Sequence, residues 1–134
     1  MGFREMVYGP ARPEGAAAAR EGLARILSRA PYTPTTLMTM REHSEALQRL
    51  IPLLAPPDLQ PLVAAARDNL RALAADSSGT RVVQALLEYT AGEQRQQLVR
   101  LLGVPATILL LATDRFGTYV AQVTVNLLYF DWLP

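Results

Sequence analysis

A chain of 134 residues, half of them hydrophobic, is of single-domain length and can bury a sizeable core, which excludes a disordered tail. Thirteen basic against 12 acidic side chains leave a net charge of +1, which neither demands nor excludes nucleic acid, because a binder that reads bases needs less bulk charge than one that grips phosphates. Without cysteine there are no disulfides and no thiolate metal sites.

Residues 1–14 contain Gly2, Gly9, Pro10 and Pro13 and are expected to form an extended or loosely ordered arm. The start of the chain lacks the basic and apolar regions of a signal peptide. The Ala16–Ala19 run is too short, and too soon followed by Arg20, Glu21 and Arg25, to enter a membrane. Glu5, Glu14 and Glu21 count against a mitochondrial presequence, so a soluble, intracellular protein is expected.

From Gly15 to Arg29, Ala16, Ala19, Leu23, Ile26 and Leu27 recur at helical spacing and predict an amphipathic helix, ended by Pro31 and Pro34, that caps the helices after it. Thr35 to Met40 reads as a short helix or turn. Ser44 to Leu54 reads as a helix burying Leu47, Leu50, Ile51 and Leu54, stopped by Pro56 and Pro57. Asp58, as a cap, opens a long helical pattern to Ala74 that buries Leu62, Val63, Ala66, Leu70 and Leu73. After a tight turn at Asp76-Ser77-Ser78-Gly79, helices are expected at Thr80–Tyr89, Glu93–Leu102, Pro105–Ala112 and Thr118–Leu128. Val120 to Tyr129 is rich in β-branched and aromatic residues, but its place in a sequence repeat argues for helix.

That repeat consists of two stretches that nearly coincide. Leu73-Ala74-Ala75-Asp76-Ser77-Ser78-Gly79-Thr80-Arg81-Val82-Val83-Gln84 lies 38 positions before Leu111-Ala112-Thr113-Asp114-Arg115-Phe116-Gly117-Thr118-Tyr119-Val120-Ala121-Gln122. A fainter copy, His43-Ser44-Glu45-Ala46-Leu47-Gln48, stands 36 positions before Gly79-Thr80-Arg81-Val82-Val83-Gln84. Repetition at this period predicts an all-α, right-handed helical-repeat solenoid of about three repeats, near 35–57, 58–92 and 93–134 within one domain over 15–134.

On such helices Thr80 and Gln84 lie one turn apart with Arg81 beside them, while Val82, Val83, Leu86 and Leu87 face the stack. Thr118, Tyr119 and Gln122 repeat the arrangement, and Ser44 and Gln48 echo it. A hydroxyl and an amide can meet the Watson-Crick edge of a splayed base, and an Arg or Tyr plane can stack between bases. The candidate RNA-binding residues are therefore Thr80, Arg81, Gln84, Thr118, Tyr119, Gln122, Ser44 and Gln48, with Arg95, Arg100 and Arg115 as possible phosphate contacts.

The Gly-Thr-Arg-Val-Val-Gln and Gly-Thr-Tyr-Val-Ala-Gln runs, with the leader Leu111 to Gly117, resemble the base-reading helix of Pumilio (PUF) repeats over roughly residues 35–128. Ser44-Glu45-Ala46-Leu47-Gln48, Arg67-Asp68-Asn69-Leu70-Arg71 and Gly79 to Gln84 look most like the nucleolar Pumilio-like proteins of the nucleolar-protein-nine family. The resemblance implies RNA binding without catalysis or cofactor. For the nucleolar branch it further implies precursor ribosomal RNA in small-subunit assembly and a place in the nucleus or nucleolus, with the cytoplasm as the alternative.

The first copy departs from this pattern, with Glu45 at the stacking position and His43 in place of the glycine. His43 is the single histidine and reads as a capping or surface residue rather than a catalytic or metal-binding one. Asp76 and Asp114, each ahead of a glycine, read as turn and cap acceptors rather than paired catalytic acids. No nucleophile, base and orienting group assemble, so an enzyme is not expected. The apolar tail Leu127-Leu128-Tyr129-Phe130-Asp131-Trp132-Leu133 is too short to span a membrane and is expected to pack on a further repeat or another chain. With no polar capping repeat after it, the chain reads as a fragment, a short isoform or a divergent relative. The rival function is a protein-protein interaction scaffold that does not bind RNA.

Overall fold

The computed structural model of the chain describes residues 13–29 and 31–129. Most of the expected arm, and Phe130 to Leu133 of the tail, lie outside the described residues. Pro13 and Glu14, expected in the arm, already belong to helix α1, Pro13–Leu27.

Thr33 caps the next helix, α2 (Pro34–Thr39), its Oγ1 accepting from the Thr36 N–H at 3.2 Å while Pro34 supplies the preset first turn. After Met40 alone, α3 (Arg41–Leu50) begins and tightens at its end into a 3-10 turn over Ile51–Leu53, where Pro52 has no N–H to continue the α pattern. The helix expected over Ser44 to Leu54 therefore starts earlier and ends differently.

Helix α4 spans Pro56–Asp68. The expected cap at Asp58 is corrected: Pro56 and Pro57 begin this helix because their fixed φ suits a first turn, Ala55 is the N-cap, and Asp58 sits within the first turn. The expected continuous helix to Ala74 is also corrected. It breaks at Asn69, whose backbone (φ −137°, ψ 29°) leaves the helical region and whose Nδ2 donates to Thr35 Oγ1 at 3.0 Å. Helix α5 then covers Leu70–Ala74.

The remaining helices are α6 (Gly79–Tyr89), α7 (Gly92–Leu102), α8 (Pro105–Ala112) and α9 (Thr118–Tyr129). The described residues contain no strand, and Val120 to Tyr129 is helical as the repeat register requires.

Like helices stack on like. The short helices α2, α5 and α8 form one column, α3, α6 and α9 a second, and α4 and α7 a third, each pair of neighbours in contact. The helices thus group as α2–α3–α4, α5–α6–α7 and α8–α9, a helical-repeat solenoid. Cuts at 57/58 and 92/93 would fall inside α4 and α7, so the units are phased about a dozen residues away from those cuts. Helix α1 packs on α2, α3 and the 3-10 turn and caps the first unit, burying Ala19, Leu23 and Ile26.

The inward stripes are those the periodicity predicts. Leu47, Ile51 and Leu54, then Leu62, Val63, Ala66, Leu70 and Leu73, then Val82, Val83, Leu86 and Leu87 join one core, with Leu50 only partly buried against it. Wholly burying each such aliphatic side chain contributes about 1.5–3 kcal/mol, so the shared stripe is what holds successive units together.

The repeated glycine has a steric cause. A Cβ on Gly79 would lie 2.7 Å from the Leu73 carbonyl oxygen, and one on Gly117 would lie 2.7 Å from Leu111 Cδ2. In the first unit only Met40 separates α2 from α3, so the chain makes no such tight turn and His43 is accommodated within the helix.

Candidate nucleic-acid interface

The second column, α3–α6–α9, carries Ser44, Gln48, Thr80, Arg81, Gln84, Thr118, Tyr119 and Gln122 in the stated register. Its later helices enter from turns built by local hydrogen bonds. Asp76 Oδ2 accepts from the Ser78 and Gly79 N–H groups at 2.9 and 2.7 Å. Asp114 Oδ2 accepts from those of Phe116 and Gly117, both at 2.8 Å. The two aspartates are turn acceptors, as their positions predict, and both fix where the next helix begins.

Outward from the column stand Arg81, Tyr119 and Gln122, all exposed, with Gln48 and Gln84 half-buried beside them. Tyr119 is 54 % exposed, the open ring face that stacking on a base requires. Among the described residues Arg81 makes no ion pair and no hydrogen bond through its guanidinium, so its plane is free.

Two predicted contacts are placed differently. Ser44 and Thr80 are buried, 1 % and 4 % exposed, and lie behind the row rather than in it. Ser44 Oγ donates to the Ser78 carbonyl at 2.8 Å, and Thr80 Oγ1 donates to the Phe116 carbonyl at 3.0 Å. Each hydroxyl therefore ties its helix to the turn of the next unit. A hydroxyl has one donor, and here it is committed to protein.

The same hydroxyls orient the amides. Gln48 Nε2 donates to Ser44 Oγ at 3.1 Å and Gln84 Nε2 to Thr80 Oγ1 at 3.4 Å, which leaves Oε1 and a second N–H of each amide for a ligand. Thr118 differs: it is exposed and its hydroxyl has no partner among the described residues.

Between the first two units Arg41, Ser44, Glu45, Gln48, Ser77, Ser78 and Arg81 line a polar cavity of about 310 Å³. Glu45, the departure noted in the sequence, is paired with Arg41 at 3.5 Å, so its charge is partly offset where it would oppose phosphate. Arg41, Ser77 and Ser78 were not legible as candidates. The available signal was register: Arg41, Ser77 and Arg115 occupy one repeat position, three residues before each reading hydroxyl.

Arg115 lies over the Phe116 ring at 5.2 Å, at the mouth of the last turn. Arg95 and Arg100 stand apart, on α7 in the third column. Arg95 donates to the Glu88 carbonyl at 3.2 Å, and Arg100 pairs with Glu93 at 3.6 Å. His43 is half-buried in the first turn of α3, and no group of three or more potential metal ligands occurs among the described residues. No helix among them is long and apolar enough to cross a membrane.

Comparison with known proteins meets this geometry. Residues 69–102 and 108–122 match the Pumilio-family RNA binding repeat, spans that begin at the Asn69 break and take in α5 to α7, then α8 into α9. Pumilio homolog 12 of Arabidopsis thaliana is 33 % identical over 107 residues, 80 % of this chain. The chain covers only 18 % of that protein's length. No solved structure matches significantly. The chain is a helical solenoid whose second and third units are similar to the Pumilio-family RNA binding repeat.

Proposed function

We propose that the chain binds single-stranded RNA along the outward side of the α3–α6–α9 column, without catalysis. One observation carries this reading: amide and planar side chains recur in register on stacked helices of Pumilio-like repeats, turned to solvent. Arg81 and Tyr119 stack on bases, and Gln48, Gln84 and Gln122 meet base edges. Ser44 and Thr80 act from behind by fixing the amides, while Thr118 can contact RNA directly. The helices from α1, which begins at Pro13, onward act as one RNA-binding unit.

The likeness of the Ser44–Gln48, Arg67–Arg71 and Gly79–Gln84 runs to nucleolar Pumilio-like proteins supports precursor ribosomal RNA as the ligand and the nucleolus as its place. The scaffold reading is favoured by apolar exposure at the last unit, where Leu109 and Tyr129 are 70 % and 63 % exposed.

Fluorescence anisotropy with a labelled single-stranded RNA of random sequence tests the proposal. The Gln84→Ala, Tyr119→Ala double variant is expected to bind at least about tenfold more weakly, since stacking alone is worth about 1–3 kcal/mol per base. Arg100→Ala, in the third column, is expected to bind as wild type does. Three phosphate contacts, from Arg41, Arg81 and Arg115, would give log affinity against log salt a slope of about −2. Unchanged affinity in the double variant, or a stable oligomer that ignores RNA, overturns the assignment.

A further inference from the structure

The cavity between the first two units is lined by an ion pair that the other units lack. Arg41 donates through Nε to Glu45 Oε2 at 3.5 Å, one turn along α3. At the equivalent places the second unit has Ser77 and Arg81 and the third has Arg115 and Tyr119, so neither offers a carboxylate. The two side chains are 86 % and 52 % exposed, so the pair contributes little to stability. Neither residue belongs to the core, so packing does not account for the pair.

What the pair presents to the cavity is a row of hydrogen-bonding groups. With Arg41 Nε on Oε2, Glu45 Oε1 and the remaining lone pairs of Oε2 are acceptors, and the two Nη groups of Arg41 are donors beside them. Across the pair the order is acceptor, acceptor, donor. Of the four RNA bases, guanine alone carries the complement on its Watson-Crick edge, the donors N2–H and N1–H followed by the acceptor O6. Uracil offers acceptor, donor, acceptor; cytosine repeats the order of the pair itself; adenine sets one acceptor beside one donor.

We infer that this cavity takes a guanine base of the bound RNA, with Glu45 accepting from N1–H and N2–H and one Nη of Arg41 donating to O6. The inference rests on RNA lying along the α3–α6–α9 column. The second Nη of Arg41 is left for a phosphate, and Arg81, on the same cavity wall, lays its guanidinium plane on the ring. The volume of about 310 Å³ is at the lower end of the range for small-ligand pockets. A base rather than a phosphate is the occupant because Glu45 lines the cavity, and a carboxylate repels a phosphate but accepts from two N–H groups. This base is therefore read by an ion pair outside the hydroxyl and amide row, and the preference is confined to one position of the stack.

The test compares labelled oligouridine with the same oligomer carrying one central guanosine, adenosine or inosine. Fluorescence anisotropy is recorded for the full chain, Glu45→Gln and Arg41→Ala. The wild type is expected to bind the guanosine oligomer about tenfold more tightly than the adenosine one, the usual discrimination of a bidentate pair. Inosine keeps N1–H and O6 but lacks the 2-amino donor, and should fall between them. Glu45→Gln should cut the guanosine preference to below about threefold. It should also raise the affinity for oligouridine, because an anion beside the RNA backbone is gone. A rise in that affinity together with a fall in the preference separates lost readout from a lost fold. The inference is overturned, and the RNA reading kept, if the wild type binds guanosine and adenosine oligomers alike or if the preference survives Glu45→Gln. Weakening of all oligomers by one factor in Arg41→Ala, as a phosphate contact alone would give, overturns it too. If no oligomer binds, the RNA reading falls and the inference with it.

Discussion

The second and third units have nearly the same sequence around their reading helices, yet their side chains live in different surroundings. Thr80 is buried and bonded across the unit boundary, whereas Thr118 is exposed and unbonded among the described residues. Gln84 is half-buried and held by Thr80, whereas Gln122 is exposed. The motif therefore fixes what each unit can offer, and the neighbour decides what the offer becomes. In a stack the same threonine is a fastener inside and a free group at the end.

The sharpest way to break this comparison is to remove bulk at the covered position. Leu87→Ala should destabilise by about 2–5 kcal/mol, because a side chain 1 % exposed leaves a cavity between units that rigid neighbours cannot close. Val125→Ala, at the equivalent half-buried place, should cost about 1 kcal/mol. Urea unfolding of both variants checks this, and equal losses would mean that the outer face of the last unit is already covered.

The hydroxyl gives the next effect. Thr80→Val keeps the shape but leaves the Phe116 carbonyl and the Gln84 amide without their partner, at a cost of about 1–2 kcal/mol. The variant should also bind RNA more weakly, because Gln84 loses its orienting contact while its own atoms are untouched. Chemical denaturation and anisotropy on the same preparation separate the two effects; wild-type stability would show that the inter-unit bond is dispensable.

How far the sequence could be read depends on the range of the interactions involved. The repeat, the turn aspartates and the inward stripes depend on residues within a turn or two, so spacing alone exposes them: Asp76 reaches only to Ser78 and Gly79. The burial of Ser44 and Thr80 depends on carbonyls 34 and 36 residues away. The break after Asp68 is of the same kind, since Asn69 answers to Thr35, 34 residues earlier. A helical pattern shows which face is apolar; it does not show that a polar residue on the other face will be roofed by the next unit. Glu45 was legible as an oddity, but its pairing with Arg41 required seeing α3 begin at Arg41 instead of Ser44.

The smallest difference should come from the turn aspartates, and here the comparison predicts no contrast at all. Asp76 and Asp114 each accept two backbone N–H groups, at 2.9 and 2.7 Å in the second unit and at 2.8 Å twice in the third. These bonds close within four residues and involve no neighbouring unit. Asp76→Ala and Asp114→Ala should therefore each cost about 1 kcal/mol, with the difference between them below about 0.5 kcal/mol. Denaturation of the two variants side by side is the measurement. Each turn also presents a carbonyl to the unit before it, Ser78 to Ser44 and Phe116 to Thr80, so losses well above 1 kcal/mol at both aspartates would make even this local device part of the contact between units.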